Sequence, residues 1–117
     1  MSKDDDMDEV IAGLRAQFRV RLALDAEAIR EASRVLTVES GVEARRAALK
    51  QLLAAAHRLS GSAASFGFDA IGAAATPVEE ALRAILGAGG ALAVPATLEA
   101  LVGELLALCD QSADKKG

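Results

Sequence analysis

Apolar residues recur at helical spacing along almost the whole chain, and no stretch alternates β-branched residues in the manner of a strand. Val10, Ile11, Leu14, Phe18 and Leu22 make one apolar face, which Ala26, Ile29, Ala32 and Leu36 continue. Leu49, Leu52, Ala56, Leu59, Ala63 and Phe66 form a second stripe, and Leu98, Leu101, Val102, Leu105, Leu108 and Cys109 a last one. Spacing of three and four residues marks amphipathic helices. Alanine and leucine, which dominate the apolar half, are strong helix formers, and small alanines let helices approach closely. Short connections between long amphipathic helices imply antiparallel neighbours. The expected fold is therefore all-α, an antiparallel four-helix bundle with a short extra N-terminal helix.

The element boundaries follow from local signals. Residues 1–6 read as a flexible polar lead-in whose Asp4, Asp5 and Asp6 can cap a helix start. The bundle is expected over residues 7–110, with a bend near residues 18 to 21. Thr37 to Gly41 reads as a connection, with Ser40 and Glu43 at capping-box spacing. A helix should then run from about Val42 to Ser65 and stop at Gly67. The next, from about Asp69 to Leu86, contains Pro77. Inside a helix proline removes a hydrogen bond, whereas Thr76-Pro77-Val78-Glu79 makes a good helix start, so a kink or short break is expected there. Glu79 and Arg83 are spaced for an i,i+4 pair on the outer face. Gly87 to Gly90 reads as a connection, Pro95 suits the start of a last helix, and residues 111–117 read as a frayed polar tail.

Composition narrows the class of function. The chain has 117 residues, which favours one domain. Its net charge of −4 argues against a nucleic-acid partner, which rewards a concentrated basic surface. Arg45, Arg46 and Lys50 form a small basic group, read either as a solvated helix face or as part of an electropositive surface near His57. Cys109 is the single cysteine, so no internal disulfide can form, and it reads as a small core residue. No apolar run is long enough to span a bilayer, so no membrane partner is expected. The acidic start MSKDDDMDE does not read as a signal peptide, which makes the cytoplasm the default location.

His57 is the only histidine. At about 100° per residue, Leu52, Leu59 and Phe66 fall opposite it. Lys50, Leu53, Ala54, Ser60, Gly61 and Ala64 share its face. Gly61, one turn beyond, costs a helix roughly 1 kcal/mol relative to alanine, so tight packing or close approach by a partner is implied. With one histidine, a histidine-rich metal site is excluded and zinc is a poor prospect. A Ser-His-Asp triad would need a cleft and an oxyanion hole that a solvent-facing bundle helix does not offer. There is no glycine-rich loop followed by lysine, so an independent nucleotide-dependent catalytic site is not expected.

His57, Leu59, Gly61, Ser62, Ala63 and Gly67 resemble the signature of histidine-containing phosphotransfer (HPt) domains, roughly H-x-L-K-G-S/A-S/A-x-x-x-G. Ile71, Ala75, Val78 and Glu79 fall where that family tends to have a leucine, an alanine, an apolar residue and a glutamate. The match is strong over residues 53 to 83 and architectural elsewhere, and it implies one helix through Pro77. It also implies that His57 accepts a phosphoryl group from a receiver-domain aspartyl phosphate or a sensor kinase and passes it to a response regulator. The partners implied are response-regulator receiver domains and a sensor or hybrid histidine kinase. The receiver would bring the aspartate and the bound magnesium, and this chain would need no cofactor of its own.

One position departs from the pattern. The family usually carries lysine three residues after the histidine, and this chain has Ser60, which can donate a hydrogen bond but has no charge. Lys50 shares the face two turns back, about 10 Å along the axis. Ser60 and Lys50 are thus the candidates for the phosphate environment. Leu53, Ala54, Gly61 and Ala64 are candidates for partner docking, with Leu53 suited equally to peripheral packing. Ser62 lies toward the core and suits helix packing. The competing readings are a helical module that docks a receiver or kinase without being phosphorylated, and a structural or dimer-forming bundle in which His57 has no task.

Overall fold

The computed structural model describes residues 3–38, 41–90 and 92–114. They form four helices: α1 (Lys3–Thr37), α2 (Val42–Ser62), α3 (Asp69–Ala88) and α4 (Ala96–Asp114), with a single 3-10 turn at Ala64–Phe66 between α2 and α3. Helix α1 packs on α2 and α4, and α3 packs on the same two, so the four close into a ring. This is the four-helix bundle that the apolar spacing predicts.

The extra N-terminal segment does not separate as its own helix. It is the first part of α1, which runs unbroken for 35 residues through the expected bend and begins inside the expected lead-in. Nothing in residues 18 to 21 interrupts the hydrogen-bonded ladder, so the chain has no reason to bend there. The last helix likewise continues to Asp114, into the expected tail. The capping role expected of Ser40 lies outside the described residues; α2 starts after Gly41, whose carbonyl accepts the Arg45 N–H at 3.0 Å.

The buried core draws on every helix: Leu22 and Ile29 of α1, Leu49, Leu52 and Leu59 of α2, Ile71, Val78 and Leu82 of α3, and Leu98, Leu105 and Cys109 of α4. The apolar face of α1 enters the core only from Phe18 onward. Met7, Val10, Ile11 and Leu14 are exposed, against the expectation that Val10, Ile11 and Leu14 belong to the core face. The other helices, at 19 to 21 residues, are too short to reach them.

All three aromatic residues meet where α2 turns into α3. Phe18 stacks on Phe66 at 4.9 Å between centroids and lies 5.2 Å from Phe68, with Arg19 over the Phe68 ring. Phe66 therefore packs as expected, but from the 3-10 turn and not from α2. Gly67 adopts φ 86°, in the left-handed region that favours glycine. That conformation lets the Phe68 N–H donate back to the Ala63 carbonyl at 2.9 Å and ends the helix. Arg15 closes the turn by donating from Nε to the Phe66 carbonyl at 3.1 Å.

Pro77 sits inside an uninterrupted α3, so the expected break is not found. Its neighbours explain the tolerance. Val78 and Ala75 are fully buried, and Thr76 donates from its hydroxyl to the Gly72 carbonyl at 3.1 Å. Packing against α2 and α4 outweighs the one hydrogen bond that proline removes. Two polar clamps complete the frame. Arg58 donates to Asp25 at 2.9 and 2.7 Å, joining α2 to α1, and Arg30 pairs with Asp110, joining α1 to α4.

Two glycines should respond oppositely to alanine. Gly61 is helical with open space around the position of a Cβ, whereas at Gly67 a Cβ would lie 2.5 Å from the Arg15 guanidinium and the φ is positive. Urea unfolding should find Gly61→Ala more stable by about 0.5–1 kcal/mol and Gly67→Ala less stable by about 1–2 kcal/mol.

Candidate functional site

Burial of Leu52, Ala55, Ala56 and Leu59 turns the opposite face of α2 to solvent, and His57 stands on it with its side chain 64 % exposed. On α3, burial of Ala75, Val78 and Leu82 brings Glu79, the neighbour of Val78, into the groove facing α2, where its side chain is only 13 % exposed. The two helices thus set an imidazole and a carboxylate against each other.

Glu79 collects three donors. His57 Nδ1 lies 2.5 Å from Oε2, Arg83 donates from Nη2 to the same oxygen at 2.6 Å, and Ser60 donates from Oγ to Oε1 at 2.7 Å. Ser60 Oγ also lies 3.1 Å from the His57 carbonyl, fixing the hydroxyl between the two elements. The hydrogen bonds from Arg83, Ser60 and His57 favour the ionised form and hold the Glu79 carboxyl at about 2, well below its ordinary value. An ionised carboxylate only accepts, so Nδ1 must carry the shared proton. That assigns the lone pair of a neutral ring to Nε2.

The residues singled out in the sequence divide accordingly. Ser60 joins the His57–Glu79 cluster. Lys50 is exposed on α2 two turns before His57 and is not brought to Glu79. Leu53 is half-buried and packs against the core from the rim of the His57 face, while Ala54, Gly61 and Ala64 are exposed. Ala64 has left α2 and sits in the 3-10 turn. Ser62 donates to the Arg58 carbonyl at 2.6 Å, one turn back.

Two sequence expectations are corrected. Glu79 and Arg83 do pair, but Glu79 faces His57 in the α2–α3 groove and not the outer surface. Its proximity to His57 is set by helix packing, which i,i+4 spacing within α3 cannot report. The nearest sequence signal was the family's glutamate at this position. Arg45 is not free to contribute to an electropositive surface. Its guanidinium donates to the Leu92 carbonyl at 3.1 and 2.9 Å and to the Leu36 carbonyl at 3.1 Å, tying down the ends of two connections. The cation that the structure does place beside His57 is Arg83, which sequence spacing assigned only to its own helix.

Residues 5–114 match the family model described as the Hpt domain. That span is nearly the whole chain, and the chain belongs to the Hpt domain family. No curated protein and no solved structure matches it. Membership puts the chain in the general class of phosphorelay histidine phosphotransfer, whose domains interact with receiver domains and kinases. Among the described residues no helix is long and apolar enough to cross a membrane.

The Glu79 carboxylate also makes stability depend on acid. Its folded value of about 2 lies below its ordinary 4.5, so its contribution is complete above about pH 4.5 and is lost as pH falls through about 2. In urea unfolding across pH, the stability gap between wild type and Glu79→Gln should stay level from pH 7 to about pH 5. It should then narrow steadily toward about pH 2.

Proposed function

We propose that His57 is the phosphoryl acceptor of a phosphorelay, loaded by a receiver-domain aspartyl phosphate or by a sensor kinase and discharged to a response regulator. The observation that carries this reading is the hydrogen bond between His57 Nδ1 and an ionised Glu79 on an open helix face, which keeps the Nδ1 proton in place and, in the neutral ring, puts the lone pair on Nε2.

In transfer from a receiver, the Nε2 lone pair attacks phosphorus as the bond from phosphorus to the aspartyl oxygen breaks. That oxygen leaves with the bonding pair as a carboxylate. The proton stays on Nδ1, and Glu79 balances the positive charge that develops on the ring, as a carboxylate does behind any imidazole nucleophile. Arg83 offsets the negative charge that Glu79 and the phosphoryl group would otherwise place side by side. Ser60, in the position where the family usually has lysine, orients the carboxylate and supplies no charge. The receiver brings the aspartate and the magnesium, so positioning and charge neutralisation carry the step. Ala54, Gly61 and Ala64 offer a low surface over which receiver loops can approach, with Leu53 at its rim. Lys50 lies farther along that surface and would meet the partner at its edge. The relay would operate in the cytoplasm.

The rival reading, a module that docks a partner without phosphorylation, drew on the missing lysine. Arg83, bonded to the Glu79 oxygen that also meets His57 Nδ1, supplies a cation within the cluster and favours the relay.

Incubation with a panel of phosphorylated receiver domains tests the proposal. Wild type should take up an acid-labile, alkali-stable phosphoryl group that His57→Gln lacks. Equal receiver binding by both proteins without transfer would establish the docking module instead. Glu79→Ala should slow transfer about 10- to 100-fold, since a hydrogen bond to a charged group is worth about 1.5–3 kcal/mol. Nitrogen NMR of the same variant should find His57 no longer biased to the Nδ1–H tautomer. Arg83→Met should keep the tautomer and lose about tenfold in rate.

A further inference from the structure

The first part of α1 reaches the bundle through Arg15, which donates to the Phe66 carbonyl, and leaves its apolar side chains uncovered. Residues 3–17 precede the first buried side chain, Phe18, and extend about 22 Å at 1.5 Å per residue. The molecule is accordingly elongated, 60 Å by 22 Å by 20 Å. On this overhang Met7, Val10, Ile11 and Leu14, spaced as one helical stripe, are 59, 56, 45 and 44 % exposed. An apolar stripe on a free helical end of this length leaves the helix marginal in water, and Gly13 weakens it further.

Charge identifies what covers the stripe. Before and beside it the chain carries Asp4, Asp5, Asp6, Asp8 and Glu9; just after it come Arg15, Arg19 and Arg21. Asp6, Asp8, Glu9, Arg15 and Arg21 are exposed. The overhang is therefore acidic at its start and basic at its base. A parallel neighbour of the same kind would set the exposed Asp6, Asp8 and Glu9 of the two copies against one another. An antiparallel one sets the acidic end of each helix against the arginines of the other. In the register that stacks Val10 on Leu14, Asp8 and Arg15, which flank the stripe on the same side at about 100° per residue, come beside each other across the pair.

We propose that two copies of this chain associate through their α1 overhangs, antiparallel, burying Met7, Val10, Ile11 and Leu14 between them. The interface is isologous, so each copy contributes the same stripe and the assembly closes as a dimer. None of the stripe lies on α2 or α3, and pairing uses no residue of the His57–Glu79 site.

The test is sedimentation equilibrium of the full chain from about 1 to 200 μM beside Leu14→Glu, with circular dichroism to check that the bundle remains folded. Wild type should dimerise, and Leu14→Glu should weaken the dimer about a hundredfold, as expected for losing two buried leucines from one interface. Orientation is read by mixing Val10→Cys and Leu14→Cys, with Cys109 buried and silent. On oxidation the mixed disulfide should form ahead of either like pair. A wild type monomeric throughout overturns the proposal. If that monomer loses receiver transfer in Leu14→Glu, the stripe belongs to a receiver. A dimer unaffected by Leu14→Glu uses another surface, and preferential like-pair disulfides mean a parallel arrangement; each refutes the assignment.

Discussion

The Glu79 carboxylate is the point on which the site depends. Two of its donors, His57 and Ser60, come from α2, and the third, Arg83, comes from its own helix α3. With three donors the carboxylate stays ionised, and ionisation in turn fixes which imidazole nitrogen keeps its proton. One shielded charge thereby decides on which nitrogen the lone pair of the neutral ring lies. An exposed carboxylate at the same place would be weakened by solvent and would orient the ring poorly. At 13 % exposure Glu79 is sheltered enough to act and open enough to remain charged.

That contact is only as good as the packing of α2 on α3, and the turn between them sets the packing. Gly67 supplies the left-handed residue that lets the chain leave the 3-10 turn, and the three phenylalanines lock the turn against α1. From there Leu52, Leu59, Ala75, Val78 and Leu82 carry the apposition along both helices. Pro77 lies in the middle of this packed stretch, and the absence of a break at it keeps Glu79 in register with His57. If α3 restarted at Thr76, the carboxylate's direction would no longer be tied to Ile71 and Ala75.

Much of the bundle was legible in the sequence. The all-α bundle, the turn at Gly67 and the exposure of His57 follow from periodicity and glycine placement, which are local properties of the chain, whereas the separate N-terminal helix that the pattern suggested is the start of α1. Burial at the two ends of α1 was not legible. Val10 and Leu22 have the same apolar pattern, yet one is exposed and one is buried, because burial depends on the length of the neighbouring helices. Arg45 shows the same limit. Its position on α2 suited a basic surface, while its donors go to carbonyls at Leu36 and Leu92, far apart in sequence.

The sequence by itself determined that this chain forms amphipathic helices with a lone exposed histidine ringed by small residues, and the residues around that histidine carried the Hpt resemblance. Those features depend on spacing of a few residues, which a helix converts directly into direction. Only the tertiary structure decided that Glu79 faces His57, that Arg83 shares a Glu79 oxygen with the imidazole, and that the stripe on α1 overhangs the bundle. Each of these joins residues on different helices or compares their lengths, and the angle and depth at which helices pack are set by the whole core.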